Sequence, residues 1–574
     1  MQSARLWIAA LRTLSNIVRI NMEGGKIMNE KNAVSSAIPT PPVPPIPKKP
    51  RREYNTAEMV FAWLSIVFGY ILCRVFPVTE SPLGGLMFTV SLYLITAVIL
   101  KIRGAKFTAV PVIFALSALA MQAALILSSN SALHFFVYVY ALTVYLYFIY
   151  SVFGNSIEGG FSNFIAADFI KAAFVMPFES FGNIFGSLSA SMGKKGGKSL
   201  LRILLGVAIA IIPTAIIITL LSYDKGFTDI MGNLFRFDFD DIISQISSIA
   251  FGLVIAMYTF GLFVSSVDKK LPGNMSKDKC RSFLKKLKIT PAVTVCIAVV
   301  PILAVYIIFF VSQWQYYVSG FSGVLPKDLS YAEYAREGFF QLCTVSFINL
   351  LIITAICLFM KRDSKSPRII LKVINLVFSL ATLVLIATAL AKMYMYIDFY
   401  GLTPRRVYAT WGMLVLSAIF LLIIIKQFLP RFKLITAIIF VVVILFGALA
   451  LSGVDSFIAE YNVDRYVEGS LDSVDVDAVL ELGDAGIEHL VRLAKVIDAK
   501  NGTDIASIKP EQLHTYSMYT DLVIALHGFD YSDCAFFSYT IPQAKAKAAL
   551  AELGIEPWEY EDFCKLPFNL RPDA

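Results

Sequence analysis

Residues 434–470 read LITAIIFVVVILFGALALSGVDSFIAEYNVDRYVEGS, and the change of character inside this stretch sets the architecture. From Leu434 to Ser452 there is no charged side chain, over a length that crosses about 30 Å of hydrocarbon as a helix. From Gly453 onward the chain is acidic: residues 453–574 hold 22 Asp and Glu against 9 Lys and Arg, whereas residues 1–452 hold 20 against 41. A net charge of +8 thus hides parts of −13 and +21. Basic loops beside a bilayer are drawn to anionic lipid and an acidic part is a solvated surface, so nucleic acid is not an expected partner.

Upstream of this boundary the chain is built from further apolar runs. Its composition, 57% hydrophobic and 16% charged with a mean hydropathy of +0.68, exceeds what a water-soluble fold can bury. Runs of spanning length fall at 57–76, 83–100, 107–127, 132–153, 199–222, 242–267, 290–312, 338–360, 369–396, 406–428 and 434–452. The expected fold class is therefore all-α and polytopic, with about eleven transmembrane helices and a small, mainly helical extracytoplasmic C-terminal domain.

Orientation follows from the loops, because positively charged loops resist translocation. One set of alternate connections carries 27 Lys and Arg, eight of them between Lys269 and Lys288; the other set carries six, at Lys225, Arg236, Lys327, Arg336, Arg405 and Arg406. The first set is cytoplasmic, which places the N-terminus inside and the C-terminus outside a bacterial-type plasma membrane. The expected organisation is a cytoplasmic segment over 1–56, four helices over 57–153, a cytoplasmic loop over 154–198, a seven-helix core over 199–452 and an acidic outer domain over 453–574.

Within the cytoplasmic segment, PTPPVPPIPKKPRRE favours polyproline II and serves as a tether. Met28 also reads as a natural start, leaving residues 1–27 as an over-extended gene start or a membrane-surface helix. Residues 161–185 carry seven phenylalanines with Asp168, Lys171, Pro177 and Glu179. They read as interfacial helices on the inner leaflet, with a re-entrant hairpin as the alternative.

Several motifs dissolve on inspection. The Gly196–Ser199 GGKS lacks the upstream glycine of a phosphate-binding loop, which would fall at Met192. Cys73, Cys280, Cys296, Cys343 and Cys357 show no metal-ligand spacing, and His489, His514 and His527 form no HExxH. No metal or other cofactor is expected. Cys534 and Cys564 are either a disulfide or two free thiols. No Asp, Glu, Lys, Arg or His falls near the centre of a span, although ion-coupled transporters usually place one there. Pro213 and Pro301 sit mid-span as kinks.

Polar and aromatic residues gather instead at two outer helix ends. LSYAEYAREGFFQL enters the eighth span with Tyr331, Glu333, Tyr334, Arg336 and Glu337; AKMYMYIDFYGLTPRR leaves the ninth with Tyr394, Tyr396, Asp398, Tyr400, Arg405 and Arg406. Spans joined by a short loop are neighbours, so the two groups meet, either as an aromatic belt with snorkelling charges or as a pocket for a polar or lipid headgroup. These stretches, with FIAEYNVDRYVEGSLDSVDVDAVLEL, resemble the domain of unknown function 4173 family of bacterial multi-pass membrane proteins. The resemblance covers about Leu201 to the C-terminus and implies no activity or catalytic residue.

The expected function is a non-enzymatic membrane protein of the cell envelope. Besides the lipid bilayer, its outer face, centred on Tyr331, Tyr334, Arg336, Glu337, Tyr394, Tyr396, Asp398, Tyr400 and Arg405, binds an envelope component or partner protein. A transporter or lipid flippase is the alternative, and a membrane-embedded transferase using Glu333, Glu337 or Asp398 a third.

Overall fold

The computed structural model describes residues 52–75, 81–192, 206, 217, 239–269, 277–312, 339–362, 365–513, 517–529, 539–559 and 566. The chain divides after Glu53, and the unit that begins at Tyr54 carries everything below. Among the described residues there are helices and turns but no strand. One isolated bridge joins Thr290 to Met360.

Ten helices are long and apolar enough to cross a membrane, marking a multi-pass membrane protein. They are α1 (Thr56–Val75), α2 (Pro82–Ile102), α3 (Ala109–Ala124), α4 (Ser131–Ser151), α8 (Phe239–Val267), α10 (Ala292–Ser312), α11 (Phe339–Phe359), α12 (Lys365–Tyr400), α13 (Pro404–Phe428) and α14 (Leu434–Leu451). Each matches a run expected from hydropathy. The remaining run, 199–222, lies outside the described residues except for Gly206 and Ile217, both helical. Short helices α5 (Ile165–Phe174), α6 (Met176–Glu179), α7 (Asn183–Ser191) and α9 (Lys277–Lys286) lie between spans.

In a bilayer, helices associate through close packing and buried polar contacts, because apolar surface gains little by leaving lipid. Helices α1 and α8 meet at Gly69 and Gly252: a methyl built on Gly69 would lie 2.1 Å from the Gly252 carbonyl oxygen. With α2 to α5 and α7 they bury one apolar core that includes Phe61, Phe114, Tyr147 and Phe263. A second core joins α10, α11, α12 and α13 around Phe378 and Phe420.

The helices of segment 161–185 are too short to span a bilayer. Helix α5 turns Asp168 and Lys171 into the protein while Ile170 and Phe174 stay exposed. Asp168 and Lys171 are both buried, with Tyr150 donating to Asp168 at 2.9 Å and Lys171 Nζ donating to the Tyr150 hydroxyl at 3.2 Å. Phe169 stacks on Tyr147 at 4.3 Å. Tyr150, near the end of α4, thus partners both side chains, and a buried polar network results.

After α14, Gly453 takes φ +56°, a left-handed conformation open to glycine, and the chain continues as α15 (Val454–Val467), α16 (Val476–Leu480), α17 (Asp484–Asn501), α18 (Met518–His527) and α19 (Ile541–Leu553). The sequence places Val479, Leu482, Ile487, Leu490, Leu493 and Val496 at helical spacing; the first five are buried and Val496 is half-buried. The buried five share one core with Met121, Leu125, Leu133 and Ala450 at the ends of α3, α4 and α14. These helices therefore cap one end of the bundle, here called the distal end. The 128–130 turn grips the cap: Ser128 and Asn130 donate to the buried Asp455 carboxylate at 2.9 and 3.1 Å. Burial holds that carboxyl above its ordinary range, opposed by these two hydrogen bonds.

Candidate functional site

Helix α12 is 36 residues long, about 54 Å at 1.5 Å per residue, so it outruns the apolar layer. Its last turns stand at the distal end. The chain then reverses over Gly401 and Leu402 and enters α13 at Pro404, a residue suited to a first helical turn. Gly401 adopts φ +76° with the Asn462 side-chain oxygen 2.4 Å from where a Cβ would sit. Asn462, on α15, accepts from the Leu402 amide at 2.7 Å and donates to the Leu402 carbonyl at 2.8 Å. One buried amide thereby fixes the turn against the cap.

Arg406 follows at the start of α13. Its guanidinium lies over the Tyr396 ring at 4.1 Å and the Tyr400 ring at 5.9 Å, and its Nη1 donates to the carbonyls of Tyr400 and Gly401. Stacking and carbonyl contacts hold a planar fork in one orientation. A second arginine, Arg465 of α15, donates to the Asp398 carbonyl at 2.7 Å and pairs with its carboxylate at 3.5 Å.

These groups line two adjoining cavities. One, of about 420 Å³, is bordered by Asp398, Tyr400, Arg406, Asn462, Asp472 and Asp475. The other, of about 700 Å³, is bordered by Phe339, Phe340, Met393, Tyr396, Arg405, Arg406, Asp475, Asp477 and Glu481. Thr403, Arg406, Asp475 and Ala478 belong to both, so they form two lobes of a single groove. Its floor is apolar, from the ends of α11 and α12. Its border also carries the α13 arginines Arg405 and Arg406 and the acids Asp475, Asp477 and Glu481 in and beside α16. Asp475 caps α16 by accepting from the Ala478 amide at 3.0 Å.

Of the residues expected in this cluster, Tyr396, Asp398, Tyr400 and Arg405 line the groove. Tyr394 is 71% exposed and lines neither lobe. Tyr331, Glu333, Tyr334, Arg336 and Glu337 lie outside the described residues, as do Pro213, GGKS, His514, Cys534 and Cys564. The expected meeting of two helix ends is represented by Phe339 and Phe340 of α11. Sequence reading missed Asn462, Asp475, Asp477 and Glu481, whose only signal was an acidic composition shared by the whole C-terminal part.

His489 and His527 are held by contacts within the cap. His489 contacts the Ser456 hydroxyl at 3.0 Å and burial holds it below the usual imidazole range; His527 stacks on Trp558 at 4.7 Å and contacts the Glu556 and Ile505 carbonyls. Among the described residues no group of three or more His, Cys, Asp or Glu is arranged to hold a metal ion. Pro301 is exposed on α10, where it borders neither lobe.

Compared with known proteins, residues 112–493, about two thirds of the chain, match the family model described as Domain of unknown function (DUF4153). The expected kinship with a family of unknown function holds, but the family is this one and not 4173: the match starts 89 residues before the Leu201 boundary of that resemblance, takes in most of α3 and all of α4, and stops within α17. No curated protein and no solved structure matches.

Proposed function

The chain belongs to the DUF4153 family, and from that premise we propose that it is a non-enzymatic membrane protein of the bacterial cell envelope that binds an amphipathic envelope component in the distal groove. The distal end faces outward in this reading, as the bias of basic residues toward the opposite loops supports. The observation that carries it is the groove itself. An apolar floor of Phe339, Phe340 and Met393 beside charged side chains suits a ligand that is itself part apolar and part charged.

The test is lipid retention. Full-length protein extracted in mild detergent and examined by native mass spectrometry is expected to carry a bound amphiphile, and Phe340→Glu and Arg406→Gln are each expected to reduce its occupancy at least fivefold. Equal occupancy in wild type and both variants sinks the reading. Asp398, the described carboxylate weighed for transferase chemistry, pairs with Arg465 at 3.5 Å.

A further inference from the structure

Resting on that reading, we infer that the groove selects a dipolar headgroup, with the phosphate on Arg405 and Arg406 and a primary ammonium on Asp475, Asp477 and Glu481. The two sets carry opposite charge, yet no ion pair joins them among the described residues. Charges of both signs that border one groove without pairing offer complementary contacts to a ligand bearing both signs.

The anionic end has a built receptor. A guanidinium has five N–H donors, and two bonds from Arg406 go to backbone carbonyls, so three donors remain in a fork already oriented by Tyr396. Both arginines stand in the first turn of a 25-residue helix, where the positive end of the helix dipole disfavours cations. A phosphate there offsets both the dipole and the mutual repulsion of neighbouring guanidiniums. In the acidic set, Asp477 and Glu481 are exposed and make no ion pair. Three carboxylates against one small cation match the three N–H donors of a primary ammonium.

A phosphoethanolamine headgroup carries these two charges on one short linker, and the Phe340 floor receives the acyl chains of its lipid form. Anionic glycerophospholipids share the phosphate but meet the acidic side chains unfavourably. Quaternary choline lacks the N–H donors.

The experiment measures binding of short-chain phosphatidylethanolamine, phosphatidylglycerol and phosphatidylcholine, and of phosphoethanolamine alone, to the full chain in detergent by native mass spectrometry. Phosphatidylethanolamine should bind at least tenfold more tightly than each of the other three. Asp477→Asn with Glu481→Gln, two exposed side chains whose replacement spares the fold, should abolish the preference over phosphatidylglycerol while leaving phosphate-dependent binding. Arg406→Lys, which keeps the charge but loses the fork, should weaken all the lipids. Equal or tighter phosphatidylglycerol binding to wild type overturns the dipolar inference and leaves the groove reading standing. Equal phosphatidylcholine binding overturns the primary ammonium, and equal binding of phosphoethanolamine overturns the lipid source. Absence of binding by every probe overturns inference and groove reading together.

Discussion

Replacing Asn462 by alanine tests how the groove is held open. The side chain makes two hydrogen bonds to Leu402, a residue only 8% exposed, so the variant leaves a buried N–H and a buried C=O without partners. At about 1–3 kcal/mol for each orphaned group, the turn should lose on the order of 2–6 kcal/mol of local stability. At 1.4 kcal/mol per decade this is roughly a 30-fold to 20,000-fold fall in protection. Gly401→Ala attacks the same clamp from the other side. It adds about 1–2 kcal/mol of left-handed strain and drives a methyl to 2.4 Å from the Asn462 oxygen, displacing the amide and forfeiting the same two bonds. The double variant can lose those bonds only once, so its cost should fall short of the sum by about 2 kcal/mol or more. Hydrogen exchange read by mass spectrometry on the full chain, over peptides covering 397–407 and 458–466, measures all three. Additivity within about 0.5 kcal/mol, or an Asn462→Ala protein with wild-type protection, would refute the clamp.

Other perturbations separate the remaining features. Gly252→Leu should cost about 1–3 kcal/mol, because even its Cβ would lie 2.8 Å from the Tyr70 backbone nitrogen; Gly412→Leu, with nothing within 4 Å, is the tolerated control, and thermal loss of the monodisperse peak in detergent compares them. Asp455 has a carboxyl raised above its ordinary 3.8 by burial, so the folded chain holds that proton more tightly than the unfolded one. Its contribution is present below 3.8 and is lost as pH rises through the raised value; the stability of wild type relative to Asp455→Asn should therefore decline across that window, and a rising difference would contradict the assignment. In the buried network, Asp168→Ala leaves the Ile157 amide without its acceptor, while the Tyr150 hydroxyl keeps the Asn155 carbonyl, and should cost about 1–3 kcal/mol. Lys171→Met should cost less at neutral pH, since burial already holds that amine below its usual range, and the same thermal assay ranks the pair.

What could be read from the residues, and what could not, divides along a physical line. The ten described spans follow from hydropathy because lipid leaves the backbone no partner but itself, which forces a helix wherever apolar length suffices. Helix burial in the cap was legible for a similar reason: Val479, Leu482, Ile487, Leu490 and Leu493 recur at helical spacing, and only one face can be covered. That periodicity did not disclose the break at Gly483, where φ is +62° and the pattern carries on from α16 into α17 as though unbroken.

The polar residues obeyed no such rule. Asp168 and Lys171 have a headgroup-seeking pattern on an amphipathic segment, and only the tertiary partner Tyr150 converts them into core. At the groove, Tyr396 and Asp398 were legible because aromatic and charged residues are conspicuous beside an apolar run. Asp477 and Glu481 were camouflaged by an acidic surface, and their significance depends on sharing a groove with Arg405 and Arg406, some 70 residues earlier in the chain. Asn462 was the least visible of all, since an asparagine in a polar helix announces nothing until Gly401 and Leu402 are brought against it. Solvent and lipid impose their constraints locally, residue by residue, and so leave periodic marks. A groove imposes its constraint between elements, and that pairing is created by the fold.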